Sequence, residues 1–479
     1  MISKAEILET AAKVGLRPDV VEKDYVLGWT LAGISAHDEL REKWVFKGGT
    51  CLKKCYFETY RFSEDLDFTL ADAAHLDEAF LKRVFAEIGE WVYERSGLEM
   101  PSEGQSFDLF KNPRGNVSCQ GKLSYKGPVS PNVAVIRLPR IKLDLTADER
   151  IVLPPVRVPV FHAYSDAQEA SFEVLAYSYE EAFGEKVRAL AERTRPRDLY
   201  DVVNLFRNSE ARPPAAALLD VLRQKCEFKG IAVPKLEDLA IHRDGLEGGW
   251  ENMLAHQLPA LPPVADFWDV LPDFFAWLAG AEAPIALPAY ALAAGESVIH
   301  GRTLGLDIPN AAQTHLEIIR FAGGNRLCVM LDYQGSTRRI EPYSLRRTSD
   351  GNIVLHAFNL DKNEHRSYRV DRITGARATS QSFVPRYAVE LTPSGPVSVP
   401  TAQRASPFGG MAISRPHSVR PRAVRAMGRA SSGPTYVYEC PVCRKKFRRQ
   451  TRDSSLRPHQ SPAGYPCSGR TGYVVDTQY

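Results

Sequence analysis

No run of about 18 uncharged apolar residues occurs in this 479-residue chain, and its opening stretch, MISKAEILETAAK, is polar with helical spacing. Both features argue against a membrane span and a secretory signal. Cysteines in a disulfide framework are also missing. Five of the eight (Cys51, Cys55, Cys119, Cys226, Cys328) are scattered, which points to a reducing cytoplasm. Acidic residues are absent between Glu390 and Glu439, where six arginines occur: Arg404, Arg415, Arg420, Arg422, Arg425 and Arg429. The overall charge is only +3, so this imbalance is local. No internal repeat is present. The apolar content of 44% supports ordinary buried cores, and the length suggests two to four domains.

The chain mixes helix and strand up to about residue 125. SKAEILETAAKVG, RPDVVEKDYVLGWTLAGI and AAHLDEAFLKRVFAEIGEWVYERSG have helical apolar spacing. Between them, KWVF reads as a strand, TCLKKCYF as a helix and LDFTL as a second strand. A strand-rich stretch follows, through VAVIRLPRIKLDLT and IVLPPVRVPVF. From about 178, SYEEAFGEKVRALAERTRPRDLYDVVNLFRN reads as two helices broken near Pro196, and helical patterns continue to about 282. APIALPAYALAAGES reads as a linker. Short alternating runs with hairpin signals at DYQGS and TSDGN then predict a small twisted sheet or barrel.

The chemistry centres on FKGGTCLKKCYFETYRFSEDLDF, residues 46–68. Alternation along the second strand puts Asp65 and Asp67 on one face, roughly 7 Å apart at about 3.3 Å per residue. A lone D-x-D is commonly a solvated acidic turn. With a glycine turn in front, the pair reads as a divalent metal site with phosphate nearby, since magnesium prefers a few carboxylates plus substrate phosphate oxygens. Asp144 lies between Leu143 and Leu145 in an apolar strand, where a carboxylate is costly unless paired or metal-bound. It could instead face solvent or pair with Lys142. Lys186, Arg197, Asp198, Tyr200 and Asp201 follow in EKVRALAERTRPRDLYD, where Arg197 and Asp201 have the spacing of an ordinary helical ion pair. Glu22, Lys23 and Asp24 in VEKDY fit a solvated helix face equally well.

Taken in order, KGGTCLKK, RFSEDLDF, a later strand aspartate and EKVRALAERTRPRDLYD resemble the AbiEii/AbiGii-type toxin nucleotidyltransferases of the DNA polymerase β-like superfamily, over roughly residues 10–280. The resemblance implies Mg²⁺ held by Asp65, Asp67 and Asp144, and nucleotide phosphates approached by Lys47, Gly48, Gly49 and Thr50. Arg61 and Ser63 would reach phosphate oxygens and Lys186 would neutralise triphosphate charge. Arg197, Asp198 and Asp201 form the matching helical block, without separable roles. It further implies an NTP substrate, a hydroxyl acceptor such as the 3′ end of tRNA, and a cognate antitoxin. A non-catalytic nucleic-acid-binding regulator that only senses nucleotide, and nucleotidylation of a protein or small molecule, are the alternatives.

RRIEPYSLRRTSDGNIVLHAFN…RSYRVDRI resembles a WYL-type domain, a small Sm-like barrel, with Ile353, Val354 and Leu355 where the namesake Trp-Tyr-Leu would stand. Arg338, Arg339, Tyr343, Arg346, Arg347, Arg369 and Arg372 make it basic with interleaved aromatics, a pattern suited to nucleic acid or to a solvated barrel face. At the end, Cys440, Cys443, His459 and Cys467 follow structural-zinc spacing and resemble a zinc ribbon or finger; His417 lies outside the pattern. A unit of about 45 residues needs such a staple, and Lys445 to Arg449 add charge for phosphate. The expected fold class is therefore α+β. A nucleotidyltransferase domain (1–210) carries a helical extension (211–284), followed by a WYL-like β-rich domain (285–392), a disordered basic linker (393–434) and a zinc unit (435–479).

Overall fold

A computed structural model describes residues 1–57, 60–112, 114–129, 134–166, 172–300, 310–392, 435–440, 445–449, 456–457, 459–460, 466–467 and 473–478. The expected linker 393–434, His417 and Cys443 lie outside the described residues. Contacts divide the chain into two units, Met1–Ala405 and Ser406–Tyr479. The expected divisions at 210 and 284 fall inside the first.

That unit opens with helices α1 (Lys4–Val14) and α2 (Pro18–Ala36). Strand β1 (Trp44–Lys47) runs into the short helix α3 (Gly48–Cys51), which widens into a π-helical turn at Leu52–Tyr56 before strand β2 (Asp65–Leu70). Helix α4 (Glu78–Ser96) starts where the Asp77 carboxylate accepts the Phe80 N–H and stops at left-handed Gly97. Strands β3 (Ser106–Lys111), β4 (Val117–Ser124), β5 (Arg140–Thr146), β6 (Val156–Pro159) and β7 (Glu173–Ala176) complete a seven-stranded sheet in the order β3-β4-β5-β2-β1-β7-β6. Strands β2 and β5 pair in parallel, which sets Asp67 beside Asp144. Within β5, Ile141, Leu143 and Leu145 are buried while Arg140, Lys142 and Asp144 take the other face.

Helix α5 (Tyr179–Arg193) is capped by the Ser178 hydroxyl and ends at left-handed Thr194. Helix α6 (Pro196–Arg207) restarts with proline in its first turn, where no N–H is needed. Helices α7 (Ala215–Lys229), α8 (Leu236–Ala240), α9 (Arg243–Leu254), α10 (Ala265–Trp268) and α11 (Leu271–Leu278) follow. The β-rich part comprises β8 (Ser297–Val298), helix α12 (Asn310–Gly324), β9 (Leu327–Tyr333), β10 (Ser336–Arg347), β11 (Ile353–Asn359), β12 (Glu364–Arg369) and β13 (Ile373–Ser382). Its sheet runs β12-β11-β10-β9-β13, with β8 added to β10. One core lies between the first sheet and α1, α2 and α4, around Trp29, Trp44, Phe68 and Phe85. A second runs without interruption from Phe183, Leu199 and Trp277 to Leu331, Leu345 and Leu355. Burial of that continuous apolar surface holds the β-rich part onto the helices.

In the second unit, β14 (Thr435–Glu439) pairs with β15 (Lys446–Arg449) and β18 (Tyr473–Gln478). The two-residue strands β16 (His459–Gln460) and β17 (Pro466–Cys467) set His459 opposite Cys467.

Two expectations change. VEKDY is not a solvated face: Asp24 is buried against Lys54 (2.8 Å) and the Tyr164 hydroxyl (3.0 Å), and Glu22 accepts the Val129 N–H. In the β-rich part, Tyr343 and Arg346 are not surface groups. The Arg346 guanidinium is fully buried and donates to the Tyr290 and Ala291 carbonyls, with Glu296 and Glu390 within ion-pair range. It fastens the 284–296 segment to the sheet and cannot meet a phosphate. Arg339, Arg347 and Arg372 remain exposed.

Candidate active site

The β1–α3 turn is where the glycines matter. Gly48 has φ +83°, and a Cβ there would lie 2.0 Å from Asp67 Oδ2. Any other residue would be strained and would displace that carboxylate. A Cβ on Gly49 would meet the Arg61 guanidinium at 2.5 Å. The Thr50 hydroxyl donates to the Asp65 carbonyl at 2.5 Å, locking α3 to β2. The Thr50 hydroxyl is therefore committed to the scaffold, which leaves its backbone N–H as the group expected to approach phosphate.

A cleft of about 280 Å³ opens here. Asp65 and Asp67 on β2 and Asp144 on β5 line one side, with Lys47, Gly48, Gly49 and Ser63. Burial, followed by the charges of Asp144 and Asp65, pushes the Asp67 carboxyl up to about 6. Burial and Asp65 raise Asp144 as well. The group is short of positive charge, which is the electrostatic condition for taking up a divalent cation. Its oxygens do not form a closed cage; among the described residues only Cys440, His459 and Cys467 bring three ligand atoms within 4.8 Å of one another. That suits a magnesium ion, which takes one or two carboxylates and completes its shell with water and substrate phosphate.

Helices α5 and α6 form the facing wall. Lys186 bonds Asp201 at 2.7 Å and lies 3.9 Å from Asp198, yet still lines the cleft and lowers the Asp67 proton affinity. Arg61 makes a two-pronged contact with Asp201 (2.7 and 2.8 Å) and reaches Gln257, and the Tyr60 hydroxyl donates to the same carboxylate at 2.8 Å. Arg193 clamps Asp198 at 2.7 and 2.8 Å. Two sequence expectations, both about Asp201, are corrected by this arrangement. Asp201 is fully buried and does not face the cleft, and its partners are Arg61 and Lys186 rather than Arg197. Arg61 and Asp198 do line the cleft, with their charged groups also held by Asp201 and Arg193. Arg197 differs: it is half-buried in the cleft wall and makes no ion pair among the described residues. Burial, with Arg61 nearby, lowers its proton affinity.

Sequence reasoning missed Glu149, Glu185, Arg188, Arg193 and Arg195, all on the cleft wall. The helical spacing of Glu185, Arg188 and Glu192 marks an ion-pair run, and Arg188 does bond Glu185 at 2.6 Å. Nothing in the sequence signals Glu149, which meets Lys229 at 2.9 Å and Lys47 at 3.8 Å.

In the second unit, Cys440 Sγ and Cys467 Sγ lie 3.7 Å apart, and His459 Nδ1 bonds the Arg457 carbonyl at 3.0 Å.

A glycine turn, a carboxylate row on adjacent strands and a cationic helical wall meet in this cleft. The family model described as "Nucleotidyl transferase AbiEii toxin, Type IV TA system" matches residues 29–279, and the chain belongs to that family of nucleotidyltransferase toxins. The WYL domain model matches residues 314–378. Among solved structures, MenT4, a nucleotidyltransferase toxin from Mycobacterium tuberculosis H37Rv, is 18% identical, with 59% of this chain and 91% of that chain covered and a TM-score of 0.40. The proteasome accessory factor PafBC of Arthrobacter aurescens is 11% identical, covering 62% of this chain and 41% of that one, with a TM-score of 0.14. A comparison with curated proteins found no match. No helix among the described residues is long and apolar enough to cross a membrane.

Proposed function

We propose that this toxin is a cytoplasmic, Mg²⁺-dependent enzyme that transfers a nucleotide from an NTP to a hydroxyl of RNA, with the 3′ end of tRNA as the acceptor expected for such enzymes. The observation that carries the reading is the charge-starved row Asp65, Asp67 and Asp144 facing Arg197. Gly48 lets the backbone approach phosphate at the start of α3, while Lys47, Lys186 and Arg197 supply positive charge for the triphosphate. Asp65 and Asp67 would hold Mg²⁺, which when bound spreads the developing negative charge of the phosphoryl group. Asp144 orients the acceptor hydroxyl. The hydroxyl oxygen bonds the α-phosphorus, the bond to the bridging oxygen breaks, pyrophosphate leaves, and the hydroxyl proton passes to the carboxylate row or solvent. Growth inhibition, relieved by a cognate antitoxin, is the cellular consequence.

The test is incubation of the protein with α-labelled NTPs, total RNA and protein fractions. Label should enter RNA, and chelator should abolish it. Label in protein would replace the acceptor class, and no label in any fraction would favour a nucleotide-sensing regulator.

A structural zinc in the last unit belongs to the same reading. Two thiolates about 2.3 Å from a tetrahedral ion sit about 3.8 Å apart, which matches the Cys440–Cys467 separation of 3.7 Å. The Nδ1 bond of His459 leaves Nε2 as the ligand atom, an orientation common to metal-bound histidines. Cys443 would be the fourth ligand. The purified protein should carry about one zinc per chain, and elemental analysis finding none in chelator-free preparations would end this reading.

A further inference from the structure

The carboxylate row divides one face of the first sheet. On one side lie β1, α3 and the α5–α6 wall, which hold Lys47, Lys186 and Arg197. On the other lie β5 and then β4. Phosphoryl transfer proceeds with the attacking and leaving oxygens roughly in line. If the triphosphate lies against the cationic wall, the acceptor enters from the β5 side. This step rests on the nucleotidyl-transfer reading above.

Strand β5 extends the same face upstream of Asp144 as Lys142 and then Arg140, both exposed. Cross-strand register places Lys142 between Asp65 on β2 and Lys122 on β4. Lys122 is already held by Asp108 at 3.1 Å. Arg140 and Lys142 make no ion pair among the described residues, and Glu64, whose charge Lys142 feels, is bonded to Lys23 at 2.7 Å. Alternate residues on a strand stand about 6.6 Å apart, close to the spacing of successive phosphates along an extended nucleic-acid strand.

We infer that Arg140 and Lys142 form a docking track for the phosphodiester backbone of the acceptor RNA, leading its terminal hydroxyl to Asp144. Strand β5 runs from Arg140 toward the carboxylates, so a single strand laid along it ends at the reacting centre. Two positive groups that make no ion pair among the described residues hold phosphates without reading bases.

The experiment uses the full-length protein, labelled NTP and total RNA. It compares wild type, Arg140→Ala/Lys142→Ala, and the control Arg157→Ala, which removes an exposed charge on β6 at the far edge of the sheet. The double variant should raise KM for RNA about tenfold and flatten the salt dependence of RNA binding by about 1.4 in log–log slope, from two lost single-strand contacts. Its kcat and its KM for NTP should stay within about twofold of wild type, and Arg157→Ala should match wild type throughout. An unchanged KM and slope in the double variant, or equal changes in the control, would overturn the track while leaving RNA transfer intact. If wild type labels protein and no RNA, the RNA acceptor is replaced and the track falls with it.

Discussion

Asp67 lines the cleft and Asp201 lies buried behind the facing wall, and burial works against the charge of both. Asp67 has Asp144 and Asp65 for neighbours, and its carboxyl rises to about 6. Asp201 is held between Arg61 and Lys186, and despite deeper burial these two cations keep it well below the usual carboxylate range. One is an acid whose charge Lys47 and Lys186 answer only in part; the other is an acid whose charge the fold has fully answered. The difference separates the working surface from its support. Repulsion retained at Asp67 favours an incoming cation, whereas the pairs at Asp201 fix α6 and the 60–61 segment so that the repulsion cannot relax by movement.

The largest effect should come from emptying the working surface. Asp65→Ala/Asp67→Ala should fold normally and lose transfer by about a thousandfold or more, since metal-based charge stabilisation contributes several kcal/mol. Labelled-NTP transfer and growth inhibition at matched expression measure it, and retained toxicity would dismiss the catalytic reading. Emptying the support should act on stability instead. Asp201→Asn strands Arg61 and Lys186 in the interior and should cost about 3–5 kcal/mol by denaturant titration. A cost near zero would mean that water answers those cations equally well.

Asp67→Asn should move the other way. The folded protein binds the Asp67 proton more tightly than the unfolded chain does, so stability falls as pH rises from about 4 to about 6 and stays low above that. In metal-free protein at pH 7.5 the variant should therefore be more stable than wild type by about 1–3 kcal/mol, with the advantage vanishing near pH 4. Mg²⁺ should raise the melting temperature of wild type at pH 7.5, less at pH 5.5, and little in the variant. A destabilised variant at pH 7.5 would show that Asp67 is not charge-starved.

Half of this contrast was readable in the sequence. A strand followed by two glycines, a D-x-D two elements later and an aspartate alternating with leucines on RIKLDLT are local patterns, and the sheet brings them together. Asp201 was misread because helical spacing offered Arg197 four residues away. Its partner Arg61 lies 140 residues distant in sequence, and Lys186 is on another helix. Arg346 was misread for the same reason: RRIEPYSLRR has a basic texture, and only the folded 284–296 segment converts one arginine into a buried clasp. Tertiary pairing selects among charges that look alike along the chain.

The smallest effect should come where a neutral bond ties the support to the β-rich part. Tyr200, on the α6 helix that carries Arg197 and Asp201, is fully buried and donates its hydroxyl to Asn325 Oδ1 at 2.8 Å, just beyond α12. The Asn325 amide in turn donates to the Phe321 carbonyl at 3.0 Å. Tyr200→Phe keeps the ring packed on Phe267 and Tyr60 and removes one hydroxyl. The change should cost about 1–2 kcal/mol, the price of one unsatisfied buried acceptor. Activity should stay within about twofold, because the ion pairs of Asp201 hold α6 without that bond. Denaturant titration and steady-state transfer measure the two quantities together. A tenfold loss of kcat with little loss of stability would reverse the assignment, making the contact with the WYL domain part of the working surface rather than of its support.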